Sequence, residues 1–200
     1  GRVLADGHRV LGDSKTWRVV LLSPLATGAS AALLGLTVGV GIVVGVGAGL
    51  SYAELLSTHH SCDDIALLRI LPNMSVVCPC DSHEVRAALR AAVEHNGPVY
   101  IRLGKKNEPL IHEKEPEFKI GKAIVIKDGK DVCLLSTGNL MPVALETAKM
   151  FEEVNISAQV VSFHTVKPLD ENLLDEAFDN FDVVITMEEH SLLGGFGSSV

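Results

Sequence analysis

The stretch Val76–Leu103, VVCPCDSHEVRAALRAAVEHNGPVYIRL, decides the fold class. Val76-Val77-Cys78 is a short apolar run closed by Pro79, which reads as a strand. Asp81 with Glu84 three residues later is a capping-box pattern at a helix start. Val85, Ala88, Leu89, Ala92 and Val93 then fall on one helical face, and Asn96-Gly97-Pro98 stops the helix. Val99–Leu103 is β-rich again. Strand, helix and strand in this order predict a right-handed crossover between parallel strands, the unit of an α/β sheet.

Downstream of this unit, residues 105–119 sit in a stretch (Gly104–Lys119) with nine ionisable side chains and two prolines, which reads as an interdomain linker. Beyond it, Ala123–Ile126 and Val132–Leu135 flank Asp128-Gly129, a hairpin signal. A helix is predicted from about Pro142 to Val154, with Pro142 near its first turn, followed by a strand at Gln159–Phe163. A second helix carries Leu174, Ala177, Phe178 and Phe181 on one face, and a strand follows at Val183–Thr186. This second unit is also α/β with a mostly parallel sheet. The glycines of the final GGFGSSV are expected to lead into another helix.

The 200 residues are enough for one large or two small domains, and 47% hydrophobic with 21% charged residues is the composition of a folded chain. A net charge of −8 argues against a broad nucleic-acid grip, which needs clustered Lys and Arg. The four cysteines, Cys62, Cys78, Cys80 and Cys133, form no regular framework, which fits a reducing, cytoplasmic setting. Val19–Ala53 carries no charged side chain, a length that invites a membrane reading. Seven glycines and Pro24 make it a poor helix, however, and buried parallel strands produce similar runs. The expectation is that it does not span a membrane.

The chemistry concentrates in LSTHHSCDDIALLR, Leu56–Arg69. Adjacent His59 and His60 diverge in direction and lack the wider ligand spacings of zinc sites, so no metal is expected there. Cys62 has no base or orienting group fixed by spacing. Asp63 or Asp64 can cap a helix bearing Ile65, Leu68 and Arg69, while the loop can also face a ligand beyond the carboxyl end of a strand. Arg102, inside an apolar strand, suits either a phosphate or carboxylate ligand or a salt bridge to a core acid.

The runs VGVGAGLSYAELLSTHHSCDDIALLRILPNMSVVCPCD and GPVYIRLGKKNEP resemble the second half of the pyrimidine-binding domain of transketolase-like, thiamine-diphosphate-dependent enzymes. IGKAIVIKDGKDVCLLSTG, VVSFHTVKPLD and VITMEEHSLLGGFGSSV resemble that family's C-terminal domain. The resemblance runs in unbroken order from about Val43 to Val200. It implies a divided chain: an atypical Gly/Val-rich segment at 1–42, a partial pyrimidine-binding domain at 43–104, the linker at 105–119 and an incomplete C-terminal domain at 120–200. The implied fold is two consecutive, mostly parallel-sheet, three-layer α/β domains, the first lacking its usual N-terminal portion and the second truncated.

For function, the resemblance implies transfer of a two-carbon ketol unit between sugar phosphates. A fragment of 1-deoxy-D-xylulose-5-phosphate synthase, or a non-catalytic binding or membrane-tethered module, are the alternatives. His59 is implied as the catalytic residue that hydrogen-bonds the substrate oxygen, Arg102 as the phosphate ligand, and Thr58 and Asp64 as supports of the substrate loop. His164 and Glu188-Glu189-His190 are assigned structural roles.

The chain departs from the family pattern upstream. Thiamine diphosphate chemistry needs a carboxylate against the aminopyrimidine and magnesium on the diphosphate. Residues 1–42 contain no glutamate, Trp17 is their only aromatic residue, and no asparagine occurs before Asn73. The expectation is therefore a fragment or subunit that holds neither thiamine diphosphate nor magnesium and is inactive alone. It would act with a diphosphate-binding domain or subunit, in a homo- or hetero-oligomer, on a sugar-phosphate substrate.

Overall fold

The computed structural model describes residues 18–22, 41–45, 60–104 and 108–200. The first unit comprises β1 (Arg18–Leu22), β2 (Gly41–Gly45), α1 (Asp64–Arg69), β3 (Ser75–Val77), α2 (Ser82–Glu94) and β4 (Val99–Arg102). The second comprises β5 (Ile124–Lys127), β6 (Val132–Ser136), a 3-10 turn (Gly138–Leu140), α3 (Met141–Glu153), β7 (Ala158–Ser162), β8 (Thr165–Lys167), α4 (Glu171–Asn180) and β9 (Val184–Met187). Two mostly parallel sheets result, in the orders β1-β2-β4-β3-β8 and β5-β7-β6-β9. Among the described residues, no helix is long and apolar enough to cross a membrane; most of Val19–Ala53 lies outside them.

The strand–helix–strand unit forms as its pattern predicts, with β3 and β4 parallel and adjacent. Asp81 caps α2, accepting the backbone N–H of His83 at 2.9 Å and of Glu84 at 2.8 Å. The return half of the capping box is altered. Glu84 accepts the N–H of Cys80 rather than of Asp81, and its carboxylate also meets His112 from the 105–119 stretch and Ser162 of β7. Ala87, Ala88 and Ala92 are buried on the inner face, whereas Val93 faces solvent.

Two expectations are corrected. Asp128-Gly129 does not close a hairpin, since β7 lies between β5 and β6, antiparallel to one and parallel to the other. The glycine serves close approach instead: a Cβ at Gly129 would overlap the backbone of Ala158 and Gln159. Lys130 and Asp131 donate their N–H groups to Ser157 as the chain passes under β7. On α4, Leu174 and Ala177 are buried but Phe178 is exposed, one position off the inner stripe.

The two sheets are not separate bodies joined only by a linker. β8, from the second unit, completes the first sheet by pairing antiparallel with β3. Cys78 N–H donates to His164 O at 2.6 Å, and Gly138 N–H to Cys78 O at 3.0 Å. One buried cluster accordingly spans both units, with Ile65, Val76 and Tyr100 packed together with Leu135, Phe163 and Phe196.

Candidate functional site

Arg102 ends β4, at the carboxyl edge of the parallel strands where α/β sheets bind ligands. Its side chain is 5% exposed. Nε donates to Asp64 Oδ2 at 2.9 Å, and Nη2 donates to the carbonyls of Ser61 at 2.8 Å and Glu189 at 3.0 Å. Tyr100, two residues back on the same face of β4, donates its hydroxyl to the same Asp64 oxygen at 2.8 Å. This set staples the 60–64 loop of the first unit to the 188–191 loop of the second.

Asp63 occupies the N-cap of α1 without a side-chain capping bond. Asp64 is turned inward instead, and it is the acid that Arg102 needs to be buried. Its Oδ1, like His60 Nε2, is buried without a hydrogen-bond partner among the described residues. Burial pushes the Cys62 thiol up from its ordinary value and Arg102 only partly opposes this, so the thiol is not activated. Thr58 and His59 lie outside the described residues. The structure thus brings together Arg102 and Asp64, and adds Tyr100 and the Glu189 carbonyl, which sequence reasoning missed. Tyr100 was within reach of the period-two alternation of VYIR; a backbone carbonyl leaves no such mark.

The residues of the second loop make structural contacts. Glu188 accepts the N–H groups of Phe196 and Gly197. His190 donates from Nδ1 to Ser191 O at 2.8 Å and accepts Ala66 N–H on Nε2 at 3.3 Å.

A second polar cluster lies where linker and units meet. Glu84, fully buried, bonds His112 Nε2 at 3.0 Å, Ser162 Oγ at 2.8 Å and Cys80 N–H at 2.8 Å. Burial works to raise its pKa, but these donors, His112 foremost, hold it below the usual carboxylate range. The hydrogen bond to Glu84 raises His112 in return. His164 is buried against Phe118, ring centroids 3.8 Å apart, with Nε2 unpartnered among the described residues; burial pushes it down to about 4.

A folded pKa below the unfolded one means that stability is complete above the unfolded value and is lost as pH falls. For His164 that window runs from 6.5 down to about 4. Urea unfolding is expected to show a loss of roughly 3 kcal/mol across it. His164→Leu should flatten the profile there, and an unchanged slope would contradict the assignment.

The one grouping of possible metal ligands among the described residues is Cys80, Asp81 and His112. Magnesium prefers an oxygen set with room for water. Here the ligands are mixed, and both Asp81 oxygens already accept backbone N–H groups, from His83 and Glu84 on one side and Ile111 and His112 on the other. At the 60–64 loop, Asp64 Oδ2 is committed to Arg102 and Tyr100, which leaves a single buried carboxylate oxygen, Oδ1, and no second oxygen ligand beside it among the described residues. The described residues therefore do not fit a magnesium–diphosphate group.

The description "transketolase, pyrimidine binding domain" matches residues 29–109, and "transketolase, C-terminal domain" matches residues 121–200. The chain belongs to the transketolase family. Among transketolase-family proteins, it is 36% identical over 159 residues to an apulose-4-phosphate transketolase subunit of Phocaeicola vulgatus, covering 79% of this chain and 51% of that one. It is 37% identical over 145 residues to the 1-deoxy-D-xylulose-5-phosphate synthase of Methylacidiphilum infernorum, covering 72% of this chain and 23% of that one. A solved split-gene transketolase, described as an inactive beta4 tetramer, superimposes with a TM-score of 0.77 at 35% identity, over 88% of this chain and 59% of that one. The chain spans about half the length of the curated transketolase subunits that it matches.

Proposed function

We propose that this chain supplies the pyrimidine-facing part of a transketolase-type active site, in an assembly that transfers a two-carbon ketol unit between sugar phosphates. The reading is carried by one observation. The loop resembling the family's substrate loop ends in Asp64, held on Arg102 at the carboxyl end of a parallel strand. The relatives named as transketolase subunits support a divided enzyme, in which a diphosphate-binding chain or domain completes the site. Thiamine diphosphate, held with magnesium by that partner, would supply the carbon–carbon chemistry.

In this proposal His59 meets the substrate oxygen, where an imidazole stabilises developing charge. Thr58 and Asp64 hold the loop. Arg102 spends its Nε and Nη2 donors on Asp64 and two carbonyls, so a substrate phosphate would be met by Nη1. The assembly is an oligomer working in the cytoplasm.

The test is reconstitution. The 200-residue chain alone is expected to bind no thiamine diphosphate with magnesium at micromolar concentration, by calorimetry, and to show no ketol transfer. With a diphosphate-binding partner carrying the missing glutamate, ketol transfer from a phosphorylated ketose is expected. His59→Ala should then lower turnover about 100-fold, within the range of a lost charge-stabilising donor, while leaving assembly intact. Micromolar cofactor binding by the chain alone, or unchanged turnover in His59→Ala, would refute the reading.

A further inference from the structure

The turn that stops α2 pairs an asparagine with a glycine that the backbone cannot do without. α2 ends at Glu94, and His95 leaves it in an extended conformation, φ −73° and ψ 136°. Gly97 follows with φ +144°, a region that L side chains rarely adopt. Space does not require the glycine, since an added Cβ would meet Asn73 O at 3.5 Å and His95 Nε2 at 3.6 Å, both ordinary contacts. The backbone conformation requires it. Of the chain's asparagines, Asn96 alone is followed by glycine, and it lies exposed, outside helix and strand. Among the described residues, neither its carboxamide nor the Gly97 N–H has a hydrogen-bond partner.

Nothing among these residues therefore restrains the Gly97 nitrogen from approaching the Asn96 side chain, and no Cβ stands in its way. We propose that Asn96 is a site of spontaneous, backbone-mediated deamidation that loosens the entry to β4. The Gly97 nitrogen bonds to Asn96 Cγ, the Cγ–Nδ2 bond breaks, and the Gly97 N–H proton leaves with Nδ2 as ammonia. Water then opens the cyclic imide. Cleavage between Gly97 N and Cγ gives aspartate, and cleavage between Gly97 N and the Asn96 main-chain carbonyl gives isoaspartate. Both products add a negative charge to a chain of net charge −8. Isoaspartate also routes the main chain through the former side chain and so lengthens it by a carbon. The turn has no slack for this. Pro98 O accepts the Ser75 N–H at 2.9 Å and His95 Nε2 meets Ser75 Oγ at 3.1 Å, so both flanks of Gly97 are tied to the first residue of β3. The strand entered from this turn, β4, is the one that carries Tyr100 and Arg102.

The full chain, incubated folded in neutral buffer at body temperature and then digested with trypsin, tests this without reference to activity. The peptide holding Asn96 should gain the mass of an amide NH2 exchanged for OH and split into two products, the larger a substrate for a protein isoaspartyl methyltransferase. Asn155 and Asn180, exposed and followed by isoleucine and phenylalanine, are controls within the chain and should convert several-fold more slowly. Asn96→Gln, whose longer amide must close a larger ring, should abolish the products. The deamidated fraction, separated by anion exchange, should unfold at lower urea than the fresh chain. Conversion at Asn96 no faster than at Asn155 and Asn180, a product that is aspartate alone, or a charge gain that persists in Asn96→Gln overturns the proposal. So does a deamidated fraction as stable as the fresh chain, because the turn then does not govern the entry to β4.

Discussion

Glu84→Ala is expected to lower the unfolding free energy by about 3–5 kcal/mol, the cost of removing one member of a buried charged network. The carboxylate is fully buried, and its loss strands His112, the Ser162 hydroxyl and the Cys80 N–H in an apolar setting. Because these partners come from α2's own cap, the linker and β7, the damage should not be local. Urea unfolding followed by circular dichroism will measure it. Glu84→Gln keeps an acceptor and should recover about half of the loss. A Glu84→Ala penalty below about 1 kcal/mol would mean that the cluster relaxes or hydrates at little cost.

The second large effect is expected at Asp64. Asp64→Ala leaves the Arg102 guanidinium, 5% exposed, and the Tyr100 hydroxyl without their shared acceptor. A loss of about 3–5 kcal/mol follows from an uncompensated buried charge. The complementary Arg102→Ala removes the charge but frees the Ser61 and Glu189 carbonyls, so both loops should loosen. In a reconstituted assembly this variant separates two roles. If Arg102 meets a substrate phosphate, the Michaelis constant for phosphorylated sugars should rise roughly tenfold or more while a nonphosphorylated sugar barely responds. Equal losses on both substrates would make Arg102 a positioning residue that acts only through Asp64. Stability of Asp64→Ala within about 1 kcal/mol of wild type would remove the network from either account.

Much of the fold was legible because local signals agreed with tertiary packing. The cap at Asp81, the stop at Gly97-Pro98 and the β-rich VYIR each sit where the structure uses them. The hairpin at Asp128-Gly129 failed for a definite reason: a turn dipeptide reports a permitted bend, whereas the neighbour of β5 is chosen by the whole sheet, and β7 fills that place. β8 escaped notice because three residues with only two inward side chains make no periodic pattern. At the site, an arginine inside an apolar strand announced a buried charge, and the sequence offered a ligand or a core acid as its partner. The structure supplies the acid, Asp64, from a position where sequence alone suggested a helix cap. Nothing local distinguishes those two uses of an aspartate; only the approach of α1 to the end of β4 does.

The placement of β8 has a bearing on inheritance. A protein that lends a strand from its later half to the sheet of its earlier half cannot be shuffled freely at the seam. A break anywhere in residues 105–119 would carry off the strand that covers one edge of β3, exposing unpaired backbone groups that invite promiscuous pairing. The charged stretch looks like the natural place to exchange modules, yet the β3–β8 pairing ties the two halves together. Rearrangements that keep Ser75–Val77 and Thr165–Lys167 from a common ancestor retain the matched edge, and those that mix them must rebuild it.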